Sequence, residues 1–243
     1  MAVTAHPDDE AGNFGGTLRL YSDRGVETSV ICLTLGQAAS NRGLAKSDRD
    51  LAEIRRAEFA ASCQILGVCE PVILDYPDGQ LHRQELNRVV YELTRHIRKF
   101  RPQVLLTYGA DGGVTGHSDH SMAGIFATMA FHWAGRGHCY ADQLENGVAA
   151  HRVKKLYYST AEFPLPNRPP ITFAPTTTVI DIGDHLETKI AAFKAHKSQS
   201  PLWTLFEENA RKAGRRELFH LAAWTNVALS GAETDLLAGI NKP

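Results

Sequence analysis

The chain has 243 residues, 43% hydrophobic and 22% charged, with a formal net charge of −1. That is enough chain to bury a core without disulfides or a structural metal, so a metal here would serve chemistry rather than folding. No basic run marks a nucleic-acid partner, no apolar run approaches membrane-spanning length, and the N-terminus is too short and too acidic for a signal peptide; the expectation is a soluble cytoplasmic protein.

Ala2–Ala5 reads as a stub of strand; with Met1 only five residues before His6, that strand is either very short or trimmed. Gly15–Gly25 carries leucines at helical spacing and ends on a glycine stop. Thr28–Leu35 (TSVICLTL) is apolar and partly β-branched, as a buried strand is. Ser47–Gly67 predicts a long amphipathic helix opened by Ser47-Asp48 and closed by Gly67. A short strand at Val72–Asp75, a helix over Gln84–Phe100, a strand at Gln103–Tyr108 (QVLLTY) and a helix over His120–Ala134 follow. Phe163–Pro175 is proline-rich and reads as a surface loop or lid. Thr176–Ile182 is expected as a late strand and Asp184–Lys197 as a helix capped by Asp184. After Ser198 the pattern weakens, although Leu202–Phe206 and Leu218–Trp224 are apolar enough to pack.

Strand–helix alternation with nearly continuous apolar strands argues for a Rossmann-like α/β three-layer sandwich with a mostly parallel sheet. No GxGxxG follows the first strand, so this is not the dinucleotide-binding version. Cys32, Cys63, Cys69 and Cys139 form no CxxC pair. Three of them lie in apolar strand- or helix-like settings, which suits buried thiols in a reducing compartment.

Two loops carry the chemistry. AHPDDE (Ala5–Glu10) leaves the carboxyl end of the first strand, and GADGGVTGHSDH (Gly109–His120) leaves that of QVLLTY. Ligand sites in open α/β sheets gather at this edge. If the two strands lie close in the sheet, His6, Asp8, Asp9, His117, Asp119 and His120 come together. Two histidines and a carboxylate with open positions form a recurrent catalytic metal site, and a cation would relieve three adjacent like charges. The plainer readings are that HPDDE starts a helix, where acids are favoured, and that a lone HxxH binds nothing. Spacing by itself stops at a metallohydrolase.

The motifs go further. AHPDDE followed by Gly15-Gly16-Thr17-Leu18, LTLGQAAS (Leu33–Ser40), IRRAEF (Ile54–Phe59) with LGV (Leu66–Val68), YPDGQL (Tyr76–Leu81), TGHSDH (Thr115–His120) and AHKSQ (Ala195–Gln199) together resemble the PIG-L/LmbE-like family of metal-dependent N-acetylglucosaminyl deacetylases. The likeness covers most of Ala2–Gln199. It departs at Gln37, where the family more often has glutamate, and at Ser118, where it usually has proline. The resemblance implies one deacetylase domain over residues 1–243, with a core at 1–199 and a variable segment at 200–243.

The resemblance implies that His6, Asp9 and His120 hold the metal, zinc or the similarly ligated ferrous iron, and that Asp8 is the general base. His117 would steady the oxyanion or protonate the leaving amine, with Asp119 orienting it. Arg55 and Asp78 would face the substrate, an N-acetylated amino sugar of small size. Residue by residue, Arg55 alone reads as part of a solvated helix face, and Asp78 as the turn residue of PDG. Glu10 reads as a supporting or capping residue, and His196 as a cap or core histidine. Trp203, Trp224 and Phe219 read as packing ahead of sugar stacking. The resemblance also carries an expectation of a homo-oligomer. Two alternatives stay open: an amidase for a larger N-acyl group or thiol conjugate, and a non-catalytic metal- or sugar-binding protein.

Overall fold

The structure, a computed structural model, describes residues 1–165, 171–226 and 232–240. Its strands are β1 (Ala2–Thr4), β2 (Ser29–Thr34), β3 (Glu70–Tyr76), β4 (Val104–Tyr108), β5 (Lys155–Ser159), β6 (Thr178–Asp181) and β7 (Arg216–Trp224). Its helices are α1 (Asp9–Asp23), α2 (Asp48–Leu66), α3 (Leu86–Phe100), α4 (Ser118–Ala134), α5 (His185–Lys194) and α6 (Trp203–Ala213). The chain divides into two compact units, one of Ala2–Leu81 with Ile180–Glu217, the other of Met1, His82–Val179 and Leu218–Pro243. The class is the mostly parallel, helix-flanked α/β fold that the alternation predicts; among the pairings described, only β5 with β7 runs antiparallel.

In the first unit β2 pairs in parallel with β1 and with β3, starting at Ala2↔Val30 and Ser29↔Glu70. Every residue of β2 is buried, which explains its unbroken apolar run. Helix α2 begins where the sequence says it should: Ser47 Oγ accepts the Asp50 N–H at 3.1 Å, and Gly67 closes the helix at φ 70°. Helix α1 starts six residues before the predicted Gly15. Asp9 and Glu10 occupy its first turn, where the helix dipole favours acids, as the plainer reading of HPDDE has it. The glycines further along are there for close packing. A Cβ on Gly16 would lie 2.5 Å from Ile182 Cδ1 and 2.8 Å from Ile182 Cβ. Glu217 completes this seam, accepting the main-chain N–H groups of Gly16 and Thr17 and an ion pair from Lys189 at 2.6 Å. Helices α1, α2 and α5 pack on one another, and Phe193 stacks on Phe206 to attach α6 to α5.

In the second unit β4 and β5 pair in parallel from Val104↔Lys155, and β7 returns antiparallel along β5. Helices α3 and α4 pack together, and buried Arg98 ties them to the following loop by donating to the carbonyls of Ala134, Arg136, Cys139 and Tyr140. Helix α4 lies close over the end of β4, because a Cβ on Gly124 would stand 2.2 Å from the Tyr108 carbonyl oxygen. That approach fixes where the first turn of α4 begins.

The sequence assigns no element to β5, α6 or β7. Lys155 breaks the apolar look of β5; its ammonium is fully buried, paired to Glu233 at 2.5 Å and set 4.3 Å over the Trp224 ring. Phe219 is buried, in keeping with packing. Two cysteines rather than three are buried, Cys32 and Cys63, and burial pushes both thiols up; Cys139 is half-buried and Cys69, just past the turn at Gly67, is exposed. Of the proline-rich Phe163–Pro175 stretch, residues 166–170 lie outside the described residues, and the described remainder has no helix or strand. Among the described residues no helix is long and apolar enough to cross a membrane.

Candidate active site

The loop after β1 is built around Asp9. Its Oδ2 accepts the main-chain N–H of Ala5 at 3.2 Å and of His6 at 2.8 Å, and lies 3.5 Å from His6 Nδ1. Thr34 holds the entry to the loop, both its N–H and its Oγ1 donating to the Ala5 carbonyl. His6 Nε2 lies 3.1 Å from Asp78 Oδ1, while Asp78 Oδ2 accepts the Ala38 N–H at 2.9 Å. Burial pushes the Asp78 carboxyl up, but His6, the Ala38 N–H and Arg55 outweigh it and hold it below the ordinary carboxylate range. Asp78 is thus both the turn residue of PDG and a partner of His6.

Asp8 sits at the N-cap of α1 with φ 108° and ψ −24°, a left-handed backbone uncommon outside glycine. Its Oδ2 accepts from Arg55 Nη2 at 2.9 Å. The same guanidinium donates to the Pro7 carbonyl and, at 3.1 Å, to the Gly36 carbonyl. Arg55 is 3% exposed, so the solvated helix face read from its neighbours is wrong: α2 turns it inward, where its charge meets Asp8. Burial pushes the Asp8 carboxyl up to about 6; Arg55 opposes this and Asp9 adds to it.

That shift sets a testable sign. A carboxyl raised on folding stabilises the fold fully below its ordinary value near 3.8, and the contribution is lost as the pH rises through about 6. For chelator-treated protein, the stability of wild type relative to Asp8→Asn is expected to fall by roughly 2 to 3 kcal/mol between pH 4 and pH 7. Urea midpoints across that range check it; a flat difference would show that Asp8 titrates normally.

The second cluster caps α4. His117 is the N-cap residue, and its Nδ1 accepts the Asp119 N–H at 3.1 Å. This contact fixes the neutral ring's proton on Nε2. Asp119 therefore orients His117 through its main chain. His120 is turned the other way. Its Nδ1 lies 3.2 Å from the Gly112 carbonyl and 3.1 Å from Thr115 Oγ1, so Nδ1 carries the proton and Nε2 is the electron-pair donor. Tyr108 stacks on the His120 ring at 4.4 Å, and the His117 and His120 rings are 5.4 Å apart.

Sequence reasoning did not foresee how deeply the supporting residues are involved. Glu10, His196, Ser62, Glu58 and Ser198 are all buried; Glu58 accepts from the N–H and Oγ of Ser198, both at 2.7 Å. The signal was present as the AHKSQ motif, without an indication of what it touches.

A family model described as GlcNAc-PI de-N-acetylase, PIG-L, matches residues 1–131. The chain is 31% identical to 1D-myo-inositol 2-acetamido-2-deoxy-alpha-D-glucopyranoside deacetylase 2 of Catenulispora acidiphila, over 99% of this chain and 96% of that protein. It is 31% identical to the diacetylchitobiose deacetylase of Thermococcus kodakarensis, over 87% of this chain and 74% of that one. Among solved structures, the N,N'-diacetylchitobiose deacetylase of Pyrococcus horikoshii, complexed with its inhibitor MPG, superposes with a TM-score of 0.73 at 26% identity, covering 90% of this chain and 82% of the other.

Proposed function

Because this chain belongs to the PIG-L family, we propose that it is a metal-dependent hydrolase that removes the N-acetyl group from an N-acetylglucosamine-containing small molecule, releasing acetate and a free amine. The observation that carries the reading is the near full-length match to a deacetylase of an N-acetylglucosaminyl inositol, in a chain that retains both the AHPDDE and the GHSDH loops. Its four free cysteines support a reducing, cytoplasmic setting.

On the resemblance, His6, Asp9 and His120 would hold the metal. The donor chemistry fits a divalent zinc or ferrous ion: two imidazoles and one carboxylate. The surrounding hydrogen bonds fit as well, with His120 Nδ1–H committed to a carbonyl and Asp9 Oδ2 oriented by two main-chain N–H groups. When bound, such an ion polarises the acetyl carbonyl and acidifies a water toward neutrality.

The chain's own groups supply the rest. Asp8 accepts a proton from water as the water oxygen bonds to the acetyl carbon. His117 Nε2–H donates a hydrogen bond to the developing oxyanion. Its Nδ1 accepts the Asp119 N–H, which leaves Nε2–H as the ring's donor in the neutral form. The proton for the amine then comes from Asp8, which took it from the water. The carbon–nitrogen bond breaks, and the protonated Asp8 becomes a carboxylate again. Arg55 fixes the Asp8 carboxylate. Asp78 stands on the substrate side, where it accepts from a sugar hydroxyl.

A panel of glucosaminides differing in N-acyl length tests the reading. The expected result is turnover of the acetyl compounds with rates falling as the acyl group lengthens. Preference for long acyl groups or thiol conjugates would replace deacetylation with a broader amidase activity.

A further inference from the structure

Asp8 is held in a conformation that costs energy. A non-glycine residue at φ 108° persists only when its surroundings over-determine it. Arg55 accounts for the side chain. The main chain of Asp8 is held from elsewhere: its N–H donates to Glu10 Oε2 at 3.0 Å.

Glu10 is itself fully buried, and its other oxygen accepts from two donors, Ser62 Oγ at 2.5 Å and His196 Nε2 at 2.7 Å. Ser62 lies seven residues after Arg55 on α2, two turns along the same face, so one helix supports both the carboxylate of Asp8 and the carboxylate that holds its amide. His196 comes from the end of α5, 186 residues away in sequence, and is also fully buried. Three separate stretches of one compact unit thus converge on one strained peptide. A buried carboxylate needs its hydrogen bonds, and one that loses a donor is free to turn toward another.

We propose that His196 is a positioning residue for catalysis: through Glu10 it fixes the left-handed main chain of Asp8 and so aims the Asp8 carboxylate. The proposal rests on the reading of Asp8 as the base. Removing the imidazole lets Glu10 reorient, relaxes the Asp8 peptide and misplaces the carboxylate by a fraction of a bond length or more. A misplacement near 1 Å costs about 100-fold in rate.

The test compares wild type, His196→Ala and His196→Gln, with Ser62→Ala as a second route to the same carboxylate should His196→Ala fail to fold. Two readouts are taken: steady-state kinetics of the zinc-loaded protein on an N-acetylglucosaminide, and the amide proton shift of Asp8 by NMR in chelator-treated protein. In His196→Ala, kcat is expected to fall about 10- to 100-fold with KM and zinc content near wild type, and the Asp8 amide resonance to move upfield as its bond to a carboxylate weakens. His196→Gln, which can still donate to Glu10, recovers much of both. A loss of thermal stability with kcat and the Asp8 resonance unchanged would overturn the proposal and leave His196 as packing. Wild type that turns over no glucosaminide would sink the functional reading alone, since the amide shift would still report on the positioning.

Discussion

Asp8→Asn is expected to lower kcat by roughly 10²- to 10⁴-fold, the usual worth of a positioned general base. KM and bound metal should stay near wild type. The substitution is chosen because asparagine is nearly isosteric and, like aspartate, tolerates a left-handed backbone, so φ 108° is not disturbed. Its amide oxygen still accepts from Arg55. What it loses is the ability to accept a proton from water and to pass one to the amine. Steady-state kinetics with metal analysis on the same samples check this. Unchanged kcat would place the base elsewhere, and a fall accompanied by loss of metal would make Asp8 a ligand.

His120→Ala is expected to act by a different route, losing the metal itself. The ring is oriented on three sides, by the Gly112 carbonyl, by Thr115 Oγ1 and by the stacked Tyr108, which presets Nε2 as a donor. Alanine removes the donor and leaves the scaffold. Metal per chain should drop sharply, and with it the several kcal/mol of Lewis-acid stabilisation, so kcat/KM should fall by roughly 10³-fold or more. Restoring excess zinc should recover little. Full metal occupancy in this variant would show that His120 is not a ligand and reassign it to the substrate.

These variants sort the roles because the sequence marks some parts of the site clearly and leaves others unmarked. Helix α2 is legible from its ends, since Ser47 and Gly67 are local signals acting within a few residues. The AHPDDE and GHSDH loops are legible because their residue types are unusual in a short span. Arg55 reads as surface because charged neighbours adjoin it, and only the fold shows that it meets carbonyls 19 and 48 residues away. The same is true of Lys155, whose partner Glu233 is 78 residues on, and of His196 with Glu10. Such buried pairs leave no periodic trace, which is why β5 and the support beneath Asp8 were missed. The tautomer of His117 is likewise a matter of which hydrogen bond its other nitrogen makes.

The most direct measurement is the yield of both products from one N-acetylated amino sugar. Zinc-reconstituted protein is incubated with an N-acetylglucosaminyl inositol or a diacetylchitobiose, and acetate and free amine are counted together. The account predicts that the two appear in a one-to-one ratio, that chelation abolishes both, and that Asp8→Asn suppresses both equally. A protein that binds one zinc per chain yet releases neither product from any acetyl sugar would contradict it.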